Sequence, residues 1–131
     1  MLLLSLNRQI MQQASQLEFK VSEFAPSTYE ELAPNAGILT VWGGASDNTI
    51  YGDPKVNHAF RALHDVLHLR YNLPFTLEGE VSLAKLQAAQ FEGDYVQEAV
   101  FLEVAGQAQY FAEYGKFPDD QVRFIKERLA T

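Results

Sequence analysis

The chain contains no cysteine among its 131 residues. Disulfides, thiolate zinc sites and cysteine nucleophiles are therefore excluded together, and the composition fits a reducing compartment. Cations are also scarce: 10 Lys and Arg stand against 17 Asp and Glu, for a net charge of −7. Without a run of basic residues, the chain lacks the electrostatic footprint of a nucleic-acid binder. No apolar stretch approaches the ~18–20 residues that span a bilayer. "MLLLSL" opens like a signal peptide but passes at once into "NRQIMQQASQ", so it reads as the first turn of a helix. These absences predict a soluble, cytoplasmic protein that binds neither nucleic acid nor membrane.

What is present suits one globular domain over residues 1–131: the sequence is 47% hydrophobic and 12% aromatic. Leu3, Leu6, Ile10, Ala14 and Leu17 recur at helical spacing and predict an amphipathic helix from Leu2 to Gln16. "LEFKVSEF" alternates as a short strand does. "STYEELAPNAG" opens with a capping box, Ser27 and Glu30, and closes near Pro34 and Gly37. "ILTVW" reads as a second strand, emptying into the long loop "GGASDNTIYGDP". From Pro54 onward the pattern is helical. One helix runs from Pro54 to Asn72, and a second is capped by Thr76 and ends near Phe91. A third follows Gly93 and reaches about Tyr114, and a last one packs Val122, Ile125 and Leu129 on the body. The expected fold class is α+β and mainly helical, with an N-terminal helix and two short strands before a bundle of about four helices.

Within "RALHDVLHLRY", His64 and His68 lie four residues apart and so point the same way, one turn apart. Asn57 shares their stripe two turns earlier, and Arg61 flanks it. A bare HxxxH is more often a pair of ordinary boundary histidines, and Asp65 has a bland explanation as an i,i+4 partner of Arg61. The later helices change the balance. Glu103 shares a face with Val96, Ala99, Val100, Tyr110 and Tyr114, with Gln107 one turn on. A carboxylate among apolar side chains is costly unless paired or metal-bound. Glu80 lies with Leu77, Ala84, Gln87 and Phe91, whereas Glu78, Glu98 and Glu113 face elsewhere. An N-terminal acid favoured by the helix dipole would explain Glu80 but not Glu103. Two imidazoles with one or two carboxylates form a ligand set for a divalent transition metal, zinc first, with iron or manganese as alternatives. The expected ligands are His64, His68 and Glu103.

The segments "GILTVWGGASDNTIYGDPKVNHAFRALHDVLH", "FTLEGE" and "EVAGQAQYFAEYG" resemble a poorly characterised phage and prophage domain family. Its pattern runs from a "V..GGSDHP"-like loop through "N..FRAVHD..GH" and a "GE" pair to "ETRGQ..W...G". The similarity covers about residues 38–115. It points to Asn57, Arg61, His64, Asp65, His68, Gly79, Glu80, Glu103, Gly106 and Gln107. "HDVLH" is one residue shorter than the family form, Tyr110 stands at the tryptophan position, and Asn48 replaces the loop histidine. The family implies a site more strongly than a reaction.

Three readings of the chemistry follow. "HDVLH" resembles the zincin "HExxH", which predicts a small metal-dependent hydrolase. In it Asp65 or Glu80 acts as base, Arg61 assists, and Asn57, Arg61 and Gln107 hold a small-molecule or peptide substrate. His64-Asp65 also matches the dipeptide of HD phosphohydrolases, but those need a larger, all-helical scaffold. The third reading is a non-enzymatic phage-type structural or host-interaction domain, with a buried polar network or structural metal.

Overall fold

The computed structural model describes residues 2–22, 39–44 and 49–129. Its architecture is α+β and mainly helical, with an N-terminal helix and two strands preceding a succession of helices. Helix α1 covers Leu2–Ala14. Leu6, Ile10 and Ala14, four residues apart, form its buried stripe, while Leu4 and Met11 lie exposed. Its polar edge fastens two loops. Asn7 donates to the Tyr51 carbonyl at 2.8 Å, and Gln9 both donates to the Glu92 carbonyl and accepts from its N–H.

Strands β1 (Phe19–Ser22) and β2 (Leu39–Trp42) pair in parallel, with Phe19 opposite Leu39 and Ser22 opposite Trp42. Parallel neighbours require a crossover connection. The helix expected from Ser27 to Gly37 falls in that connection, outside the described residues, as do residues 45–48 of the glycine-rich loop.

Helix α2, Pro54–Tyr71, begins where its sequence predicts. Pro54 sits in the first turn, and the Asp53 side chain accepts from the Lys55 N–H at 2.9 Å. It ends at Asn72, whose left-handed backbone (φ 53°, ψ 44°) returns its N–H to the His68 carbonyl. Helix α3, Leu77–Ala88, follows, with the Thr76 hydroxyl accepting from the Gly79 N–H at 3.1 Å. Both helices join the core with Phe60, Leu67, Leu83 and Ala84.

The third predicted helix is interrupted. It comprises α4 (Asp94–Phe101), a π-helical turn over Leu102–Gly106, and α5 (Gln107–Tyr114). A π turn inserts extra chain and rotates everything after it about the axis. Val104, Ala105, Gly106 and Gln107 are consequently buried in succession, while Tyr110 is half-buried and Tyr114 is 58% exposed. The expectation that Tyr114 shares the Glu103 face assumed 100° per residue throughout, which the π turn violates. Helix α6, Gln121–Leu129, packs Phe124 and Ile125 into the core. Phe124 approaches Gly106, but a methyl there would meet the ring at an ordinary 3.5 Å. Close approach alone therefore does not demand glycine at that position.

Candidate metal centre

His64 and His68 project from the C-terminal half of α2, and Glu80 projects from the start of α3. The loop between the helices brings them together. His68 Nε2 lies 2.6 Å from Glu80 Oε1, His64 Nε2 lies 3.1 Å from Glu80 Oε2, and the two Nε2 atoms are 3.0 Å apart. Among the described residues these are the His, Asp or Glu groups that converge as a metal-ligand set.

The outer nitrogens of both rings are held in place. His68 Nδ1 lies 2.6 Å from the Leu73 carbonyl oxygen, and His64 Nδ1 lies 3.1 Å from Gln87 Oε1. The Leu73 carbonyl oxygen only accepts, so His68 Nδ1 carries a proton, and with Gln87 Oε1 turned towards it His64 Nδ1 does likewise; a ring that holds no second proton then turns a bare Nε2 lone pair inward. The local fold explains the Leu73 contact. The left-handed Asn72 reverses the chain, and the Leu73 N–H also bonds the His68 carbonyl, at 3.0 Å. Two nitrogen lone pairs and a carboxylate then face one another at 2.6–3.1 Å. Such an arrangement is repulsive until a cation, either a metal ion or protons, lies between them.

The donor set fits a metal. Imidazole and carboxylate ligands bind zinc at about 2.0–2.2 Å, so tetrahedral donors lie roughly 3.3 Å apart. The 3.0 and 3.1 Å separations need open by about 0.2–0.3 Å, and the 2.6 Å His68–Glu80 contact by about 0.7 Å. Backbone and amide partners behind the ligating histidines are the usual way a protein fixes ligand tautomer. Protonation is the competing state. Burial alone would push the Glu80 carboxyl up, but hydrogen bonds from both imidazoles bring it down to about 2. Burial likewise opposes charging of His64, yet its hydrogen bond to Glu80 and the Glu80 and Asp65 charges hold its pKa above the ordinary value. A metal binding here must displace protons.

Gly79, beside Glu80, has a definite reason to be glycine. A Cβ at this position would lie 2.2 Å from the Pro74 carbonyl oxygen, in the same turn that carries Phe75 and Thr76. Gly79→Ala is expected to destabilise the chain by about 2 kcal/mol through overpacking. It should also weaken metal binding, since the clash shifts the first turn of α3. Urea unfolding with and without zinc checks both; an unchanged midpoint would contradict the argument.

Glu103, expected as the third ligand, is not in the converging set; Glu80, expected as a base, takes that place. Glu103 instead accepts from Gln107 Nε2 at 2.8 Å, and its Oε2 is buried without a hydrogen-bond partner. Burial pushes its carboxyl up to about 8, against the lowering effects of Gln107, Arg61 and His64. It lines a cleft of about 560 Å³ with Asn57, Arg61, His64, Asp65, Glu80 and Gln107. The cleft thus gathers most of the residues singled out from the sequence, while His68 lies fully buried behind it. Asp65 is half-buried at the edge of the cleft, and burial pushes its carboxyl up to about 6 despite attraction from His64 and His68.

The Arg61–Asp65 ion pair, the bland alternative for Asp65, is absent among the described residues. Arg61 Nη1 donates to the Trp42 and Gly44 carbonyls, and the guanidinium lies 5.2 Å from the centre of the Trp42 ring. It anchors the end of β2 to α2. The third histidine, His58, sits 3.3 Å from the Gly43 carbonyl and does not join the cluster. No motif or spacing in the sequence marks the Leu73 carbonyl or Gln87 as partners of the histidines. Gln87 shared Glu80's predicted face, which was the available signal for it.

Fold and site together define a mainly helical α+β chain whose His64, His68 and Glu80 could hold a metal ion beside an open cleft. Comparison with protein-family models, with curated proteins and with solved structures finds no match. No helix among the described residues is long and apolar enough to cross a membrane.

Proposed function

We propose that this protein is a metal-dependent hydrolase in which His64, His68 and Glu80 hold a divalent transition metal, zinc first. The observation that carries this reading is the convergence of two imidazole lone pairs and a carboxylate, with the imidazole protons turned away by Leu73 and Gln87. Three protein ligands leave coordination positions open, the arrangement of catalytic rather than structural zinc. A metal held there supplies Lewis acidity and lowers the pKa of a coordinated water.

The chain's own residues divide the remaining work. His64 and Glu80 face the cleft, so the metal they hold is reached from it. With Glu80 taken as a ligand, Asp65 and Glu103 are the cleft carboxyls left to accept and return protons. Asn57 and Gln107 offer amide groups to orient a substrate. Arg61 acts by holding the strand end that forms one wall, since its Nη1 bonds carbonyls there. The resemblance to the phage and prophage domains is part of the same proposal, and the residues Asn57, Arg61, His64, Asp65, Glu80, Glu103 and Gln107 that it points to line one cleft.

The test is turnover of p-nitrophenyl acetate, p-nitrophenyl phosphate and a mixed peptide library by zinc-loaded protein. Hydrolysis that is lost with chelator, restored by zinc and abolished in His64→Ala is the expected result. A zinc-bound protein inert towards all three would overturn the hydrolase assignment. It would favour the second reading, a non-enzymatic domain in which the cluster serves structure. The low Glu80 and high His64 proton affinities favour that alternative in metal-free form, as an ion-paired network.

A further inference from the structure

Arg61 is the one Lys or Arg among the described residues that lines the cleft, and it is half-buried there. A cation withdrawn from water is normally paired with an anion. No Asp or Glu among the described residues lies within ion-pair distance of it. The charges of Glu103 and Asp65 reach the guanidinium, but Glu103 is engaged with Gln107. The guanidinium is also fixed in orientation. Nη1 donates to the Trp42 and Gly44 carbonyls, and Cζ lies over the Trp42 ring, 5.2 Å from its centre. Nε and Nη2 remain: neither has a partner among the described residues, and neither is sealed from solvent. These two nitrogens carry parallel N–H groups along one edge of the plane, the fork that takes two oxygens of a carboxylate or phosphate. Holding the group still in advance lowers the entropy lost when an anion binds.

Position and charge couple this edge to the metal centre. Arg61 and His64 are i,i+3 neighbours on α2, with Cβ atoms ~5–6 Å apart, and both line the same cleft. A divalent ion at His64, His68 and Glu80, together with Arg61, outweighs the charges of Glu80 and Asp65. Burial keeps Glu103 neutral below about 8. The loaded cleft therefore attracts anions although the whole chain carries a net charge of −7.

Resting on the metal-hydrolase reading, we propose that the substrate carries a carboxylate or phosphate beside the group that is cleaved. That oxyanion lies side-on against Nε and Nη2 of Arg61, while the group to be cleaved reaches the metal. Arg61 thus has two tasks: Nη1 holds the strand end, and the opposite edge binds substrate.

Hydroxamates with and without an added anion provide the test, because they chelate a metal and need no turnover. Cobalt(II)-loaded protein is titrated with acetohydroxamate, succinic monohydroxamate and phosphonoacetohydroxamate, and binding is followed by the visible cobalt spectrum. A charge-assisted pair of hydrogen bonds corresponds to about tenfold tighter binding of an anionic ligand than of acetohydroxamate. The tighter of the two anionic ligands identifies the oxyanion as carboxylate or phosphate. Arg61→Gln should reduce the preference to about twofold, the remainder being attraction to the metal ion itself. A second measurement needs no substitution. In zinc-loaded wild-type protein the Arg61 Nε–H NMR signal should move with an anionic hydroxamate and stay in place with acetohydroxamate. Equal affinities for neutral and anionic ligands with cobalt bound, a preference that survives Arg61→Gln, or an unmoved Nε–H signal would overturn this inference alone. Failure of cobalt to bind would remove the metal reading and this inference with it.

Discussion

His68→Ala is expected to cost roughly 3–5 kcal/mol of stability and to abolish metal binding, because it opens a buried cavity and breaks a buried charged network. His68 is 0% exposed and packs on the Phe75 ring. Its removal strips the Leu73 carbonyl of its imidazole partner and leaves Glu80 facing His64 alone. Both ends of the α2–α3 turn lose an anchor at once. Glu78→Ala, two residues before Glu80 but exposed, should stay within about 0.5 kcal/mol of wild type. Urea unfolding in chelator measures the stability loss, and zinc titration measures the loss of the site. A small effect, comparable to that of Glu78→Ala, would show that the His68 contacts do not hold the turn.

Glu103→Gln is expected to remove a large part of the alkaline loss of stability in metal-free protein. The Glu103 carboxyl rises from 4.5 to about 8 on folding, chiefly by burial. Between those values the folded chain keeps a proton that the unfolded chain releases, so stability falls as pH rises through that window. Glutamine stays neutral and retains the oxygen that accepts from Gln107. At pH 8 the variant should therefore be more stable than wild type by on the order of 3 kcal/mol, with little difference near pH 4. Glu80 behaves in the opposite sense: its lowered carboxyl gives stability that is lost as pH falls from the ordinary 4.5 towards about 2. Asp65 and His64 also titrate, so the difference between wild type and variant isolates Glu103. Parallel unfolding free energies from pH 5 to 8 would contradict its assignment as a neutral buried acid.

Much of this architecture was legible because short-range chemistry decides it. Asp53-Pro54 and Thr76 announce helix starts through capping groups, and the described structure uses those caps. Helical phase also separated Glu80 from exposed Glu78. It placed His64 beside His68 as well, since i,i+4 neighbours meet whatever surrounds them. Three features escaped for physical reasons. The π turn leaves no distinct periodic mark, so the phase beyond Glu103 was carried past the point where the helix changes pitch. The choice between Glu80 and Glu103 depends on how α3 and the π turn seat against α2, a tertiary matter that single-helix arithmetic cannot resolve. The Leu73 carbonyl that fixes the His68 tautomer is a backbone atom, and its direction comes from the left-handed turn at Asn72. The side-chain pattern of α2 carries no trace of it.

Whether His64, His68 and Glu80 form one metal site is decided by calorimetric zinc titration of chelator-stripped protein. One zinc per chain is expected, with proton release on binding, loss of the site in His64→Ala and Glu80→Ala, and full retention in Glu78→Ala. No zinc uptake, or uptake that survives both His64→Ala and Glu80→Ala, would contradict it.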